Sequence, residues 1–355
     1  MFENKSISAA DALLEAQKIA FGPVIFQAAR ILRDFGILAM LYDAKEEGMS
    51  VQKISQKAGI SEYGVKVLCE SGLSMGALSL KDERYMLTKI GYFLQFDEMT
   101  NINMNFNHDV NYLGLFNLDD AIKTASPSGL NQSFKNEWET IYPHLSALPE
   151  KAKKSWFDFD HFYSDAAFGR LVEIIAERAP EKLLDVGGNT GKWAVAITQK
   201  SLETSVTILD HQKQIDVALE NAKKAGVEDR VDGVPMDLLD HTVAFPTGYD
   251  AVWMSQFLDC FAPEDITALL RRAADALNTQ GSVYIIEPYW DRQSHEIGAF
   301  CLINTSPYFT ALANGTSKMY RAIDMHQYIK EAGLVIVEEI DHLGFGHTLT
   351  VCKKS

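Results

Sequence analysis

The chain has 355 residues, 47% of them hydrophobic and 23% charged, which suits a globular protein of two domains and excludes a disordered or fibrous one. A formal net charge of -15 repels polyanions, which argues against nucleic acid and anionic lipid as main partners. The four cysteines, Cys69, Cys260, Cys301 and Cys352, lie far apart without a C-x-x-C pair, so no metal cluster and no disulfide framework is expected, and a reducing cytoplasm is.

Met1-Phe2-Glu3-Asn4-Lys5 lacks the apolar core of a secretory signal. The apolar stretch from Ile19 to Leu41 is interrupted by Pro23, Arg30, Arg33 and Asp34, so it reads as a buried helix and not a membrane span. Ser50 reads as the N-cap of a helix over 51–58, with Lys53 where a capping box would place Glu. Ser61 and Glu62 open a second short helix carrying Val65, Leu68 and Cys69 on one side. Leu78-Leu80, the turn Lys81-Arg84 and Tyr85-Leu87 then read as a hairpin. Helices closed by a wing are the order of a winged helix, a fold that often binds DNA. Glu62, Lys66 and Glu70 on the would-be recognition helix have the wrong charge balance for phosphates. Residues 1–100 are therefore expected to form a dimerisation or lid module.

Residues 101–170 read as a helical connector dense in aromatics, among them Phe106, Tyr112, Trp138, Tyr142, Trp156 and Phe159. Aromatics at this density suit packing between domains, and some could roof a ligand site. Within this region Asn101 to Asn107 is polar and reads as a loop or partner-contact segment.

From Lys182 strand and helix alternate. Strands are expected at Leu183–Val186, Val206–Leu209, Val231–Met236, Ala251–Met254, Val283–Ile286, Leu334–Ile340 and His347–Cys352. The intervening helices fall at Lys192–Gln199, Gln212–Ala225, Pro263–Leu277 and Asp324–Ala332. Continuous apolar strands between helices imply an α/β, mostly parallel, doubly wound sheet over residues 171–355.

Such sheets bind ligands at the carboxyl ends of their strands. The first strand ends in Asp185-Val186-Gly187-Gly188-Asn189-Thr190-Gly191. This is neither the dinucleotide pattern, since Asn189 and Lys192 occupy the second and third glycine positions, nor a P-loop. An acid directly before the glycines suits a cationic ligand with an amino group, such as S-adenosylmethionine. The second strand ends at Asp210, where a carboxylate can accept from both hydroxyls of a ribose. The third leads to Met236-Asp237-Leu238, a carboxylate for an adenine amine flanked by apolar groups for the ring. Each acid alone is equally explained as a loop or capping residue. Three at successive strand ends point to the sulfonium cofactor.

With these segments in hand, and with the strand-four exit Met254-Ser255-Gln256-Phe257-Leu258-Asp259-Cys260-Phe261, the chain resembles the class I S-adenosylmethionine-dependent O-methyltransferases of the caffeic acid, acetylserotonin and hydroxyneurosporene type. The resemblance covers nearly the whole chain. It implies a homodimer built on a winged-helix domain, a Rossmann-like catalytic domain, and a small aromatic acceptor, phenolic or carboxylic. It also implies that Gly187, Gly188 and Gly191 shape the cofactor loop, that Asp210 holds the ribose with His211 beside the adenine, and that Met236, Asp237 and Leu238 hold the adenine end. Ser255 stands where the family has a Lys, and Asp259 where it has a catalytic His. Glu287 is the counterpart of a Glu that orients that His, while the second such Glu would fall near Met319-Tyr320, where there is no acid.

An unperturbed aspartate is a weak base for a phenol, so an Asp259–Glu287 pair with a raised pKa is the candidate catalytic unit. The segment between Glu287 and Asp324, with Phe300, Asn304 and Tyr308 on an apolar helical face, and Tyr320 beyond it, is the candidate acceptor pocket. Two alternatives stay open: a relative that binds the cofactor without transferring methyl, and a winged-helix regulator that senses a small molecule.

Overall fold

The structure is a computed structural model describing Phe2 and residues 6–355, so the expectation for Met1 to Lys5 lies, Phe2 aside, outside the described residues. The chain divides into two compact units, residues 2–108 and 109–355. The expected connector is split between them: residues 101–108 belong to the first unit and the remainder to the second.

The first unit holds α1 (Ala9–Ala20), α2 (Gly22–Asp34), α3 (Ile37–Ala44), α4 (Val51–Ala58), α5 (Glu62–Ser74), the hairpin β1 (Leu78–Lys81) and β2 (Arg84–Leu87), α6 (Lys89–Phe96) and α7 (Glu98–Phe106). Ser50 and Ser61 cap α4 and α5 through their side-chain oxygens, which accept from the N–H groups of Lys53 and Gly64. Leu32, Leu38, Leu41, Ile54, Val65 and Tyr85 close a core around the hairpin.

Two expectations are corrected here. Ile19–Leu41 is not one buried helix: the chain breaks at Phe21 and again at Phe35-Gly36, where Gly36 takes a φ of 70°. α1 buries no residue, and Ile19 is 80% exposed. Asn101–Asn107 is not a loop, because Asp97 caps α7 by accepting from the Thr100 N–H at 2.8 Å. Arg33 satisfies the asparagines, donating to Asn101 Oδ1 at 2.9 Å and Asn105 Oδ1 at 2.8 Å.

The second unit begins with α8 (Leu118–Thr124), α9 (Ser128–Phe134) and the long α10 (Glu150–Arg178). There follow β3 (Lys182–Val186), α11 (Lys192–Lys200), β4 (Ser205–Asp210), α12 (Gln212–Ala225), β5 (Val231–Pro235), β6 (Tyr249–Ser255) and α13 (Pro263–Ala276). The chain ends with β7 (Leu277–Glu287), α14 (Glu296–Tyr308), α15 (Ala322–Glu331), β8 (Leu334–Leu343) and β9 (His347–Lys354). Seven strands run in the order β5-β4-β3-β6-β7-β9-β8. The first five are parallel, and β9 is antiparallel to both its neighbours. Side chains alternate across each strand. Leu184, Val252 and Ile285 therefore pack with α13 and α15 on one face. Leu183, Trp253 and Ile286 pack with α10, α11 and α12 on the other. This is the expected doubly wound α/β fold. The order of winding reverses between β3 and β6, which makes the carboxyl end of β3 the switch point. Among the described residues no helix is long and apolar enough to cross a membrane.

Candidate functional site

The turn after β3 is built for backbone exposure. Gly187 and Gly191 both have a φ of 74°, which L side chains rarely adopt. A Cβ on Gly187 would lie 2.4 Å from Phe257 Cδ2, and one on Gly188 would lie 2.6 Å from Asp185 Oδ2. One on Gly191 would lie 2.8 Å from the Ala218 Cβ. The Gly187 N–H donates to the Leu209 carbonyl at 2.8 Å, and Asn221 Nδ2 holds the Thr190 carbonyl at 3.0 Å. All three expected loop glycines are thus required by close approach.

Asp185 and Asp210 meet at this turn. Asp185 is buried and its Oδ2 has no hydrogen-bond partner among the described residues. Burial, with the charge of Asp210 second, pushes its carboxyl up to about 8. Asp210 accepts from the Asn189 N–H at 2.9 Å through Oδ2 and from the His211 N–H at 2.7 Å through Oδ1. Its burial raises the carboxyl pKa, and these two backbone bonds pull the other way. The remaining lone pairs are available to a ligand. His211 is exposed at the start of α12.

The third strand end is held by a residue that sequence reasoning did not single out. Arg272 of α13 is buried and donates to the Leu238 carbonyl at 2.7 Å and towards Met236 Sδ at 3.2 Å. Its guanidinium lies 4.1 Å from the centroid of the Phe245 ring. Leu238 is in the core, whereas Asp237 is exposed and accepts from the Leu239 N–H at 3.0 Å. Ser255 ends β6 with a buried Oγ that has no hydrogen-bond partner among the described residues. A cradle without Cβ atoms, an unpaired buried carboxylate oxygen and a second carboxylate one strand away suit a ligand with a cationic end and vicinal hydroxyls.

The exit from β6 is pinned to β7. Gln256 is strained, with a φ of 48°, and its N–H donates to the Ile286 carbonyl at 2.8 Å. The next two N–H groups, of Phe257 and Leu258, both donate to Glu287 Oε1, at 3.0 and 2.7 Å. Glu287 is buried, and its Oε2 has no hydrogen-bond partner among the described residues. Burial first, and the charge of Asp259 next, drive this carboxyl well above the usual range. Asp259 is itself buried on the short turn Leu258–Cys260. Burial pushes it up to about 6, with the Cys260 thiol, 3.5 Å from Oδ1, pulling downward. The two expected catalytic acids are therefore neighbours in charge, while Oε1 of Glu287 is committed to loop amides.

Of the expected acceptor residues, Tyr320 feels the charge of Asp259, and Tyr308 joins the acids as well. It is buried, accepts from Trp156 Nε1 at 2.7 Å, and feels the charges of Cys260, Asp160 and Asp259. Phe300 is 61% exposed, and Asn304 turns its amide back to the Phe300 carbonyl at 2.8 Å. Tyr320 packs in the sheet core and donates to the Phe261 carbonyl at 2.7 Å, bracing the β6 exit. The structure adds Tyr142, Trp156 and Asp160. Tyr142 faces the Cys260 thiol, and burial pushes Asp160 up to about 6. The signal for the last two was the spacing of four between Trp156 and Asp160, which puts both on one face of a helix.

Comparison with known proteins follows this geometry. Residues 159–339, half of the chain, match the methyltransferase domain family, and residues 14–85 match the Dimerisation2-like domain. The L-tyrosine C(3)-methyltransferase of Streptomyces lavendulae is 26% identical over 318 residues, 89% of this chain and 85% of that protein. The 3-hydroxy-5-methyl-1-naphthoate 3-O-methyltransferase of Streptomyces sahachiroi is 23% identical, covering 70% of each chain. Among solved structures, the S-adenosylmethionine-dependent methyltransferase SibL in its apo form superposes with a TM-score of 0.70 at 22% identity, covering 95% of this chain and 98% of that one. The O-methyltransferase NcsB1, in complex with S-adenosylmethionine and 2-hydroxy-5-methyl naphthoic acid, gives a TM-score of 0.65 at 18% identity, covering 94% and 96%. These two structures share the fold described above.

Proposed function

This chain belongs to the methyltransferase-domain family and is an S-adenosylmethionine-dependent methyltransferase; we propose that its acceptor is an oxygen on a small aromatic molecule. The observation that carries the reading is the meeting, at the switch point, of the Gly187–Gly191 cradle with Asp185 and Asp210. When bound, S-adenosylmethionine supplies an electrophilic methyl group on a sulfonium. Asp185 Oδ2 would pair with the cationic end of the cofactor, and Asp210 would accept from the ribose hydroxyls. Met236, Asp237 and Leu238 would hold the adenine, with Arg272 positioning their loop. Ser255 adds its unpartnered hydroxyl from the end of β6.

Asp259 takes the proton of the acceptor oxygen. At about 6 its carboxyl is closer to a phenol, near 10, than an ordinary aspartate near 3.9. Glu287 positions Asp259 by holding the two preceding N–H groups. Alignment of acceptor and methyl contributes the rest of the acceleration, in favourable cases roughly 7–11 kcal/mol. Incubation with S-adenosylmethionine and a panel of phenols and naphthoates, reading S-adenosylhomocysteine release, tests this; no release with any member would remove the reading.

A second reading places the methyl on a ring carbon beside the phenol. It is favoured by the tyrosine C(3)-methyltransferase, which matches 89% of the chain, and by the aspartate where the O-methylating pattern has His. A phenolate made by Asp259 is nucleophilic at that carbon as well, and the ring proton that the methyl replaces would then leave to solvent to restore the aromatic ring. The position of the methyl in the product decides between the two.

The first unit is the dimerisation module of a homodimer, supported by the Dimerisation2-like match and by Leu13, Leu14 and Ile19, exposed on a helix that buries nothing. The acidic net charge supports an absence of nucleic-acid binding, and four cysteines free of disulfides suit the cytoplasm.

A further inference from the structure

The segment that follows β5 is fastened to α13 at two points. Met236 begins it and donates its N–H to the Asp210 carbonyl at 3.0 Å, so the segment starts beside the carboxylate assigned to the ribose. It then folds on itself. The Asp240 N–H donates to the Asp237 carbonyl at 3.2 Å, the His241 N–H to the Leu239 carbonyl at 3.0 Å, and the Leu239 N–H to Asp237 Oδ1 at 3.0 Å. These bonds are local, so they shape the turn without fixing where it points. The direction comes from α13. Arg272 holds the Leu238 carbonyl at 2.7 Å, and Asp265 Oδ1 lies 2.9 Å from His241 Nε2. Asp265 and Arg272 stand two helical turns apart and so share one face of the helix.

The fastening at His241 has a definite polarity. A guanidinium only donates and a carboxylate only accepts. Arg272 Nη1 lies 3.5 Å from His241 Nδ1, which leaves Nδ1 bare, and Nε2 carries the proton that goes to Asp265. The 3.5 Å contact is long and orients more than it binds. The ends of the segment are anchored elsewhere, Met236 to β4 and Phe245 in the sheet core. His241 therefore acts on the exposed turn between them. The side chains of His241 and Asp265 keep 30% and 34% of their surface exposed, and a pair this open adds little to overall stability. Its effect falls on the direction of the turn.

We infer that His241, held by Asp265, is a positioning residue that sets the purine selectivity of the cofactor site, keeping the Asp237 carboxylate where it accepts from a 6-amino group and rejects a 6-oxo one. The inference rests on the S-adenosylmethionine reading and deepens it. Adenine presents an amine at this position, whereas hypoxanthine presents a carbonyl oxygen that a carboxylate repels. Such selectivity depends on direction: a carboxylate that swings away neither rewards the amine nor penalises the carbonyl.

The test is calorimetry on the full-length protein with S-adenosylhomocysteine and with S-inosylhomocysteine, its 6-oxo analogue. The wild type should bind the first about ten- to a hundredfold more tightly, the range of one charge-assisted hydrogen bond. His241→Leu keeps bulk without nitrogens and should lose most of that preference, with affinity for S-inosylhomocysteine unchanged, which also reports folding. His241→Gln keeps a donor towards Asp265 and should retain most of it. Asp265→Ala should match His241→Leu, and the double variant should be no worse than either single, as for two residues acting as one unit. An unchanged preference in His241→Leu, equal weakening of both ligands, additive losses in the double variant, or a wild type without preference would each overturn the inference. Failure of the wild type to bind S-adenosylhomocysteine would instead overturn the S-adenosylmethionine reading.

Discussion

Leu258 and Glu287 are joined by a hydrogen bond of 2.7 Å from the Leu258 N–H to Oε1, and the Phe257 N–H reaches the same oxygen at 3.0 Å. The carboxyl that ends β7 therefore fixes the path of the loop that carries Asp259. Its role as a positioning residue separates two substitutions. Glu287→Gln keeps an acceptor oxygen and should leave the melting temperature within a few degrees of wild type. Glu287→Ala strands two buried N–H groups and should lose about 2–3 kcal/mol in denaturant melts. Equal stability of the two variants would show that the loop does not depend on this residue.

Asp259→Asn preserves shape but cannot take a proton. Turnover should fall about a hundredfold or more while affinity for S-adenosylhomocysteine stays within twofold. In the wild type kcat should rise with pH through about 6, where the Asp259 carboxyl ionises, and level off above 7. A fully active Asp259→Asn, or a rate independent of pH between 5 and 7, would rule out the base assignment.

Asp185 links stability to pH in the opposite direction from a surface acid. The folded protein holds its proton up to about 8, whereas an ordinary aspartate releases it near 3.8. The stability associated with that proton is present in acid and lost as pH climbs through this window, because the folded state binds more protons than the unfolded chain. Asp160 and Asp259 add to the decline up to about 6. Asp185→Asn should flatten the fall in melting temperature between pH 6 and 8 and weaken S-adenosylhomocysteine binding. A steeper fall in the variant would contradict this.

Arg272 gives a test of the third strand end. Arg272→Ala removes the donors to the Leu238 carbonyl and Met236 Sδ. It should lower S-adenosylhomocysteine affinity several-fold and stability by about 1–3 kcal/mol, with KM for the acceptor unchanged. A variant whose acceptor KM rises while cofactor affinity holds would place Arg272 in a different role.

What could be read from the sequence was what depends on short-range pattern. The run Leu183-Leu184-Asp185-Val186 followed by glycines announces a buried strand and a tight turn, and the structure has both. Apolar strands alternating with helices gave the sheet for the same reason. The run Asn101–Asn107 misled because the polarity that favours loops is satisfied here by Arg33, 68 residues earlier in the chain. Phe300 and Asn304 share a helical face with Tyr308, but periodicity does not say where along the helix that face meets the acids, and of these three it is Tyr308, at the C-terminal end, that does. Asp160, in the middle of a 29-residue helix, looks like one more solvated acid until the fold buries it enough for its charge to act on Tyr308.

The central claim is that the carboxyl ends of β3, β4 and β5 hold S-adenosylmethionine, and calorimetry with S-adenosylhomocysteine on wild type and Asp210→Ala tests it most directly. Binding at micromolar concentrations by the wild type, weakened by about 1.5–3 kcal/mol in Asp210→Ala, is the expected result. No binding to the wild type at high micromolar ligand, or equal binding by the two proteins, would contradict the account.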